Sequence, residues 1–522
     1  MSTLRYVLDK CDKYRFWLLA LFVFVLGMLC IGFDNGDVWF MDVHAKDILE
    51  NGFYDSVGKF TAHDGLQVPH QKWAMCLLVH IVVTIGNWFG ASAYESMMAG
   101  SALFCGLFAL CLYVRCREPG YEPRAAAMAL GSTFLLSMTC MSTLLSFRPH
   151  IIAICMCMIE CMLLDVRFYL KHDKLSFRAF LFGIALCSFV TMWFHSTMWP
   201  LCFIPVLPHL GEAVLDWIRG RRARAAPIIR EGLMAMLVMF LAGCLNPLGL
   251  GQLDYMRVTA AAGSSLRYSF IGEMCPFWLA KFDFYTILWL LAVIITGLVL
   301  LIDRKNVSVR EWLFYLGSAF MSAVSVRLMI YFYGLALPIL CRHLGVIRLP
   351  DKIKRGAAAG ILSLSALSVL LLLPLRPEFR EVNPHQWETL SMTADILEQD
   401  IEGPPRIFAS RTYVASMLLW RGCLPVFDTR VEVFDGDLNG GYDVLTDVHQ
   451  VYTMMVADQE IPWAYLREHI FDAYDLDAMI FSVEQLPGGL MDGVRTDQDI
   501  RTFTVNDEYV VCERLSSLKQ QQ

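Results

Sequence analysis

Residues 34–73 read DNGDVWFMDVHAKDILENGFYDSVGKFTAHDGLQVPHQKW, and this acid-rich stretch begins where the apolar run Phe16–Phe33 ends. It carries Asp34, Asp37, Asp42, Asp47, Glu50, Asp55 and Asp64. A cluster of carboxylates hanging over the first span of a membrane protein is costly to desolvate and marks a functional site by default. Most of these acids read as ordinary residues of a solvated loop. Asp34 and Asp37 differ because they lie within four residues of Phe33, the edge of the apolar run. A carboxylate there is partly stripped of water, a setting that suits a general base.

The run before this loop sets the class. With 522 residues, 56% hydrophobic content and a mean hydropathy of +0.49, the chain is too apolar for a soluble protein of its size and reads as a polytopic α-helical membrane protein. Apolar segments long enough to cross are Phe16–Phe33, Tyr94–Val114, Ala125–Leu145, Ile151–Leu170, Ala179–Thr197, Trp199–Ile218, Gly232–Leu248, Phe284–Ile302, Glu311–Val326, Leu328–Val346 and Ala357–Leu373, about 11 transmembrane helices. The first follows a basic N-terminus and shows no small-residue cleavage site, so it reads as a retained span.

A further candidate, Trp73–Phe89, is short and contains His80, Gly86 and Asn87, so charge decides its status. If it does not cross, the basic clusters at 115–124, 171–174, 219–230, 304–310 and 342–355 all fall on the side of the basic N-terminus. The positive-inside rule therefore makes it a re-entrant or interfacial helix, with the N-terminus cytoplasmic and the tail extracytoplasmic. Residues 376–522 hold 11 Lys/Arg against 26 Asp/Glu, a net −15, which leaves +8 for the membrane part. The expected division is a membrane domain over 1–375, with its first outer loop at 34–94, and an extracytoplasmic α/β domain over 376–522.

On that topology the outer face gathers pieces distant in sequence. Arg148 and His150, His195 and Arg327 all stand at outer boundaries, and Arg267 sits in a longer loop. An outer Arg is under no topological pressure, so it binds an anion, a loop carboxylate or a lipid phosphate, or else snorkels to headgroups. Of the 17 Cys most lie inside apolar runs and read as small hydrophobes, and no CxxC…CxxC spacing marks a zinc site. Cys155 and Cys157 read as facing a helix interior or lipid.

The tail alternates helical and extended periods. Helices are expected over 387–402, 413–421, 444–457 and 463–474, and strands over 406–409, 425–427, 478–482, 501–505 and 509–514. Its two cysteines, Cys423 and Cys512, are candidates for a disulfide outside the membrane. Asp435–Gly440 copies the first half of a calcium loop, but Thr446 stands where the bidentate Glu belongs, which favours a plain Asx/Gly turn. There is no GxGxxG, no phosphate-loop Gly-Lys-Ser/Thr and no HExxH, so no soluble nucleotide pocket is visible. No nucleic-acid partner is expected.

Taken together, a set of short motifs resembles the GT-C superfamily of membrane glycosyltransferases, most closely a bacterial group with an exported C-terminal domain. The matching residues are Asp37 and Trp39, Gly52 and Asp55, His70 and Trp73, Arg148 and Pro149, His195, Asn246, Pro247 and Gly249, Glu273 and Pro276, Arg327, and Phe427, Asp428 and Arg430. Departures are Met41 in place of a frequent His, Trp193 in place of a frequent Asn, and Met274 in place of a usual Trp. The resemblance implies transfer of a sugar from a polyprenyl-phosphate carrier to a glycan, lipid or protein acceptor at the outer face of a bacterial plasma membrane. It implies Asp37 as the base with Asp34 as its alternate. It also implies substrate contacts at Arg148, His150, His195, Glu273, Arg327 and His70. No metal ligand is assigned, although a divalent cation, Mg²⁺ or Mn²⁺, is one way to stabilise the departing phosphate. A transporter or flippase would show internal repeats with matched broken helices, and none is visible; a non-catalytic scaffold differs only in lacking activity.

Overall fold

The computed structural model describes residues 36–53, 57–63, 66, 70–116, 147–170, 175–261, 274–279, 284–344, 384–436, 443–456, 461–486 and 489–519. The expected spans Phe16–Phe33, Ala125–Leu145 and Ala357–Leu373 lie outside them, as do Arg267 and most of the calcium-like loop. In chain order the longer elements are α1 (Asp37–Asn51), α2 (Trp73–Trp88), α3 (Ala93–Cys116), α4 (His150–Asp165), α5 (Phe177–Phe194), α6 (Val206–Ile218), α7 (Arg222–Gly243) and α8 (Gly251–Ala261). They continue with α9 (Phe284–Ile302), α10 (Val309–Val324), α11 (Met329–His343), α12 (Pro384–Asp400), β1 (Arg406–Ala409), α13 (Thr412–Trp420), β2 (Leu424–Pro425), α14 (Val444–Val456), α15 (Trp463–Leu466), β3 (Ala478–Ser482), α16 (Leu490–Thr496), β4 (Ile500–Val505) and β5 (Tyr509–Arg514). The chain divides into two compact units.

The first unit comprises Met1–Phe33, Met98–Gly249 and Gly272–Phe379. Among the described residues, α3, α5, α7 and the run Ser196–Ile218 are long and apolar enough to cross a membrane. The last of these joins a 3₁₀ segment, Ser196–Phe203, to α6. Exposed Phe182, Leu186, Leu237 and Leu241 on α5 and α7 give these helices an apolar outer surface that lipid would solvate. Leu164, Phe180, Ile184, Cys202, Val206, Ala235 and Met239 form the core where α4 to α7 meet. Trp199 closes that core: its Nε1 donates to Ser188 Oγ at 2.7 Å, and Ser188 Oγ donates to Met239 O at 2.7 Å. A Cβ at Gly243 would lie 2.3 Å from the Trp199 ring, so only glycine fits there.

Ion pairs tie the helix ends at the basic clusters. Arg167 holds Glu231 through two bonds of 2.8 Å, and Asp165 lies 3.3 Å from Arg115 and 3.1 Å from Arg310. His343 meets Asp303 at 2.6 Å, while Ser308 and Glu311 form a capping box at the start of α10.

The second unit comprises Asp34–Met97, Leu250–Ile271 and Arg380–Gln522. Its sheet runs β2-β1-β3-β5-β4, with β1 parallel to β2 and β3, and β5 antiparallel to both β3 and β4. Asn506 and Asp507 take positive φ (49° and 54°) where β4 turns into β5, a type I′ geometry that these two residue types tolerate. The core joins tail residues such as Phe408, Phe427, Phe434 and Phe481 to Ala62 and Leu66 of the first loop. Hydrogen bonds fasten that loop to the strands: Ala62 N donates to Pro425 O at 2.9 Å, and the Arg406 guanidinium donates to Ala62 O at 2.6 Å.

Two expectations need correction. Cys423 and Cys512 are free, buried thiols, each packed as a small apolar side chain. The solvated-loop reading of the early acids fails for Asp42 and Asp47, which lie on α1 with side chains only 1% exposed.

Candidate functional site

Helix α1 sorts the acids of the opening stretch. Asp42 accepts hydrogen bonds from Trp420 Nε1 and pairs with His80 Nδ1, both at 2.8 Å, and lies 3.1 Å from Lys46 Nζ. Burial alone would raise its carboxyl pKa, but Lys46, Trp420 and His80 outweigh burial and hold it below the usual value. Asp47 is taken up by Lys59, by Asn51 at 2.8 Å and by His70 at 3.4 Å. Asp37 is different. It occupies the first turn of α1, where the helix dipole favours an anion, with 18% of its side chain exposed and Lys72 Nζ at 3.9 Å. It is the most exposed of these three carboxylates, Asp42 and Asp47 being 1% exposed.

Behind Asp37 the unit is rigidly built. Trp39 is fully buried and stacks on Trp387 at 4.5 Å with an interplanar angle of 14°, and Trp420 meets it edge-on at 5.6 Å. One turn further along, His44 Nε2 accepts from the Arg430 guanidinium at 3.0 Å. Arg430 stays protonated and can only donate, so the neutral His44 ring carries its hydrogen on Nδ1. Burial, reinforced by His70, Arg430, Lys72 and Lys59, holds the His44 pKa well below 6.5. Arg430 in turn lies on Asp428, with Nε at 3.0 Å from each carboxylate oxygen, and donates to Phe60 O at 2.9 Å. The Phe427-Asp428-x-Arg430 motif is thus the clamp that fixes the tail onto α1. His70 is buried, its ring 5.0 Å from that of His44.

In the other unit, His150 opens α4 and His195 ends α5. Both are buried, and their rings meet edge-on with centroids 4.7 Å apart. His195 has an extended backbone (φ −159°), which stops α5, and its Nδ1 lies 2.9 Å from Thr197 Oγ1. Arg148 stands two residues before His150. Arg327 lies in a 3₁₀ turn, Val326–Leu328, between α10 and α11. The segment around Pro276 docks on that hairpin: Val326 N donates to Cys275 O at 3.1 Å and Phe277 N to Ala323 O at 3.0 Å. Asn246 acts as a turn former: its amide donates to Gly243 O and Gly249 O, and its Oδ1 accepts from Leu248 N. Asp34 and Glu273 lie outside the described residues.

Lys72 and Trp420 have no place among the sequence-based expectations, while Asp42 is expected only as an acid of a solvated loop and His80 only as a polar residue of a short apolar segment. Lys72 had a local signal, since it immediately precedes the Trp73 that opens α2; the Asp42 partners come from distant segments and had none. Among the described residues, Cys157, Glu160 and Cys202 bring three ligand atoms within 4.8 Å of one another. Two thiols with one carboxylate suit Zn²⁺ and do not suit Mg²⁺ or Mn²⁺, which take oxygen donors.

No family model matches the sequence, and no curated protein matches it. Solved structures do. The archaeal oligosaccharyltransferase AglB from Archaeoglobus fulgidus, in complex with an inhibitory peptide and a dolichol-phosphate, aligns with a TM-score of 0.57 at 11% identity over 98% of this chain and 75% of that one. The Archaeoglobus fulgidus oligosaccharyltransferase in complex with Zn and sulfate aligns with a TM-score of 0.52 at 12% identity over 89% and 68%. Arabinofuranosyltransferase AftD from Mycobacteria aligns with a TM-score of 0.50 at 13% identity over 96% of this chain and 40% of that one. At these identities the likeness is one of fold: this chain shares the fold of these oligosaccharyltransferases and of the arabinofuranosyltransferase. The resemblance carried by the short motifs is met at that level.

Proposed function

We propose that this chain is a membrane glycosyltransferase that moves a sugar from a polyprenyl-phosphate carrier to an acceptor at the outer face of the membrane. The observation that carries the reading is the fold shared over 98% of the chain with a dolichol-phosphate-bound oligosaccharyltransferase. The placement of Asp37 in the first turn of α1 supports it, as does the absence of a nucleotide motif from the sequence. The N-terminus lies in the cytoplasm and the acidic tail outside, as the distribution of basic clusters requires.

The step is a displacement at the anomeric carbon. Asp37 accepts the proton of the acceptor hydroxyl as the hydroxyl oxygen bonds to that carbon, and the bond from the carbon to the phosphate oxygen breaks. The electron pair leaves with the polyprenyl phosphate. Arg148 and Arg327 hold that phosphate, with His150 and His195 as further donors, because charge builds on it as it departs. Asp34 is the alternate base, and Glu273 and His70 are further substrate contacts. A divalent cation, if bound at the phosphate, would supply Lewis-acid charge neutralisation there.

The test uses the purified full chain in lipid nanodiscs with a panel of radiolabelled polyprenyl-phosphate hexoses and pentoses. Release of polyprenyl phosphate coupled to labelled product supports the reading. Carrier binding without turnover of any donor, across glycan, lipid and peptide acceptors, rejects it in favour of a scaffold.

A further inference from the structure

Cys157 and Glu160 stand three residues apart on α4 and therefore share one face of that helix. Cys202, in the 3₁₀ segment after α5, completes the trio, and all three side chains are buried. Neither Glu160 oxygen receives a hydrogen bond from a hydroxyl, amide or guanidinium among the described residues; its polar neighbours are the thiols of Cys202 and Cys161. The Tyr331 hydroxyl is also buried without a hydrogen-bond partner among the described residues, within electrostatic range of Cys157, Cys202 and Glu160. The proposed sugar transfer uses none of these groups.

A carboxylate buried among helices without a donor is among the most costly groups a protein can hold, and a coordinated cation removes that cost. The donors choose the cation. Thiolates are soft ligands, and two of them with a carboxylate form three corners of a tetrahedral zinc site. Zinc bonds of about 2.0–2.3 Å set donors roughly 3.5–3.8 Å apart. The observed span, within 4.8 Å, needs only a small contraction. Cys157 gives up only a weak contact on deprotonation, its thiol lying 3.7 Å from Leu201 O.

We propose that Cys157, Glu160 and Cys202 bind a structural Zn²⁺ that clamps α4 to the 3₁₀ segment following α5. Binding releases the thiol protons and any proton on the carboxyl group. The alternative is a dry, protonated Glu160 lying between two thiols.

The test is elemental analysis of the full-length protein, purified through a tag that binds no metal from cells supplied with zinc. About one zinc per chain is expected in the parent and in the control Cys155→Ser, with most of it lost in Glu160→Gln and Cys202→Ser. Exchange with Co²⁺ should produce a thiolate-to-cobalt absorption that Cys202→Ser abolishes. If Cys202→Ser does not fold, the parent zinc content and Glu160→Gln decide the matter. Parent protein without stoichiometric zinc, or equal zinc in the parent and Glu160→Gln, overturns the proposal. None of these readouts depends on sugar transfer.

Discussion

Replacing Arg430 by Met should destabilise the unit built from the first loop and the tail more than any surface change. The Arg430 and Asp428 side chains are 2% and 0% exposed. Arg430→Met leaves the Asp428 carboxylate buried without its cation and leaves His44 Nε2 and Phe60 O without their donor. Removing one partner of a buried pair costs about 3–5 kcal/mol, because the surviving charge stays desolvated. In a unit of this size each kcal/mol lowers the melting temperature by about 2–4 °C, so the drop should be roughly 6–20 °C. The assay is thermal unfolding of the purified protein followed by tryptophan fluorescence, which Trp39, Trp387 and Trp420 report directly. Arg430→Met/Asp428→Leu should recover much of the loss, since no charge is then stranded. A shift under about 2 °C for Arg430→Met would refute the clamp.

The same cluster should give the unit a pH dependence. His44 is held well below 6.5 in the folded state, so the unfolded chain takes up a proton near 6.5 that the folded one refuses. Its contribution is present above that value and is lost as the pH falls below it, by up to about 1.4 kcal/mol per pH unit. Melting temperatures from pH 7.5 to 5.5 should therefore fall more steeply in the parent than in His44→Gln; parallel curves would contradict the assignment. At Arg327, substitution by Lys keeps the charge but loses the bidentate fork, a loss of about 1.5–3 kcal/mol or roughly 10- to 150-fold in transfer rate. Expression should be unaffected, and full activity in Arg327→Ala would remove the residue from the site.

Hydropathy located the helices well wherever apolar residues fill the segment. Phe284–Ile302 is a helix with the expected bounds, and β3 and β5 fall on the expected residues. It failed where charge is internal to a helix. The span expected from Gly232 begins at Arg222, because Arg167 neutralises Glu231 and lets the helix continue through a charged stretch. The segment expected as one helix over 463–474 is a single turn, Trp463–Leu466, followed by a π turn, and α16 carried no periodic signal across its seven residues. For the candidate site, positions at the outer boundaries of the apolar runs named His150 and His195 from opposite ends of two helices, but only the fold places their rings in contact. Nothing local could show that Arg430 binds His44, 386 positions away, or that Trp420 caps Asp42. Such pairs arise when distant segments must satisfy one another's buried polar atoms.

The central claim rests on Asp37. Asp37→Asn keeps the shape of the side chain and its place in the first turn of α1 but removes the base. A positioned general base contributes about 10²–10⁴-fold, or about 3–5 kcal/mol of barrier. The most direct measurement is the rate of sugar transfer from a radiolabelled polyprenyl-phosphate donor by purified, monodisperse parent, Asp37→Asn and Asp34→Asn. The expected result is a loss of at least about a hundredfold in Asp37→Asn, with unchanged thermal stability and a smaller effect in Asp34→Asn. Asp37→Asn retaining more than about a tenth of the parent rate would contradict the account, and loss of transfer in Asp34→Asn alone would move the base three residues upstream.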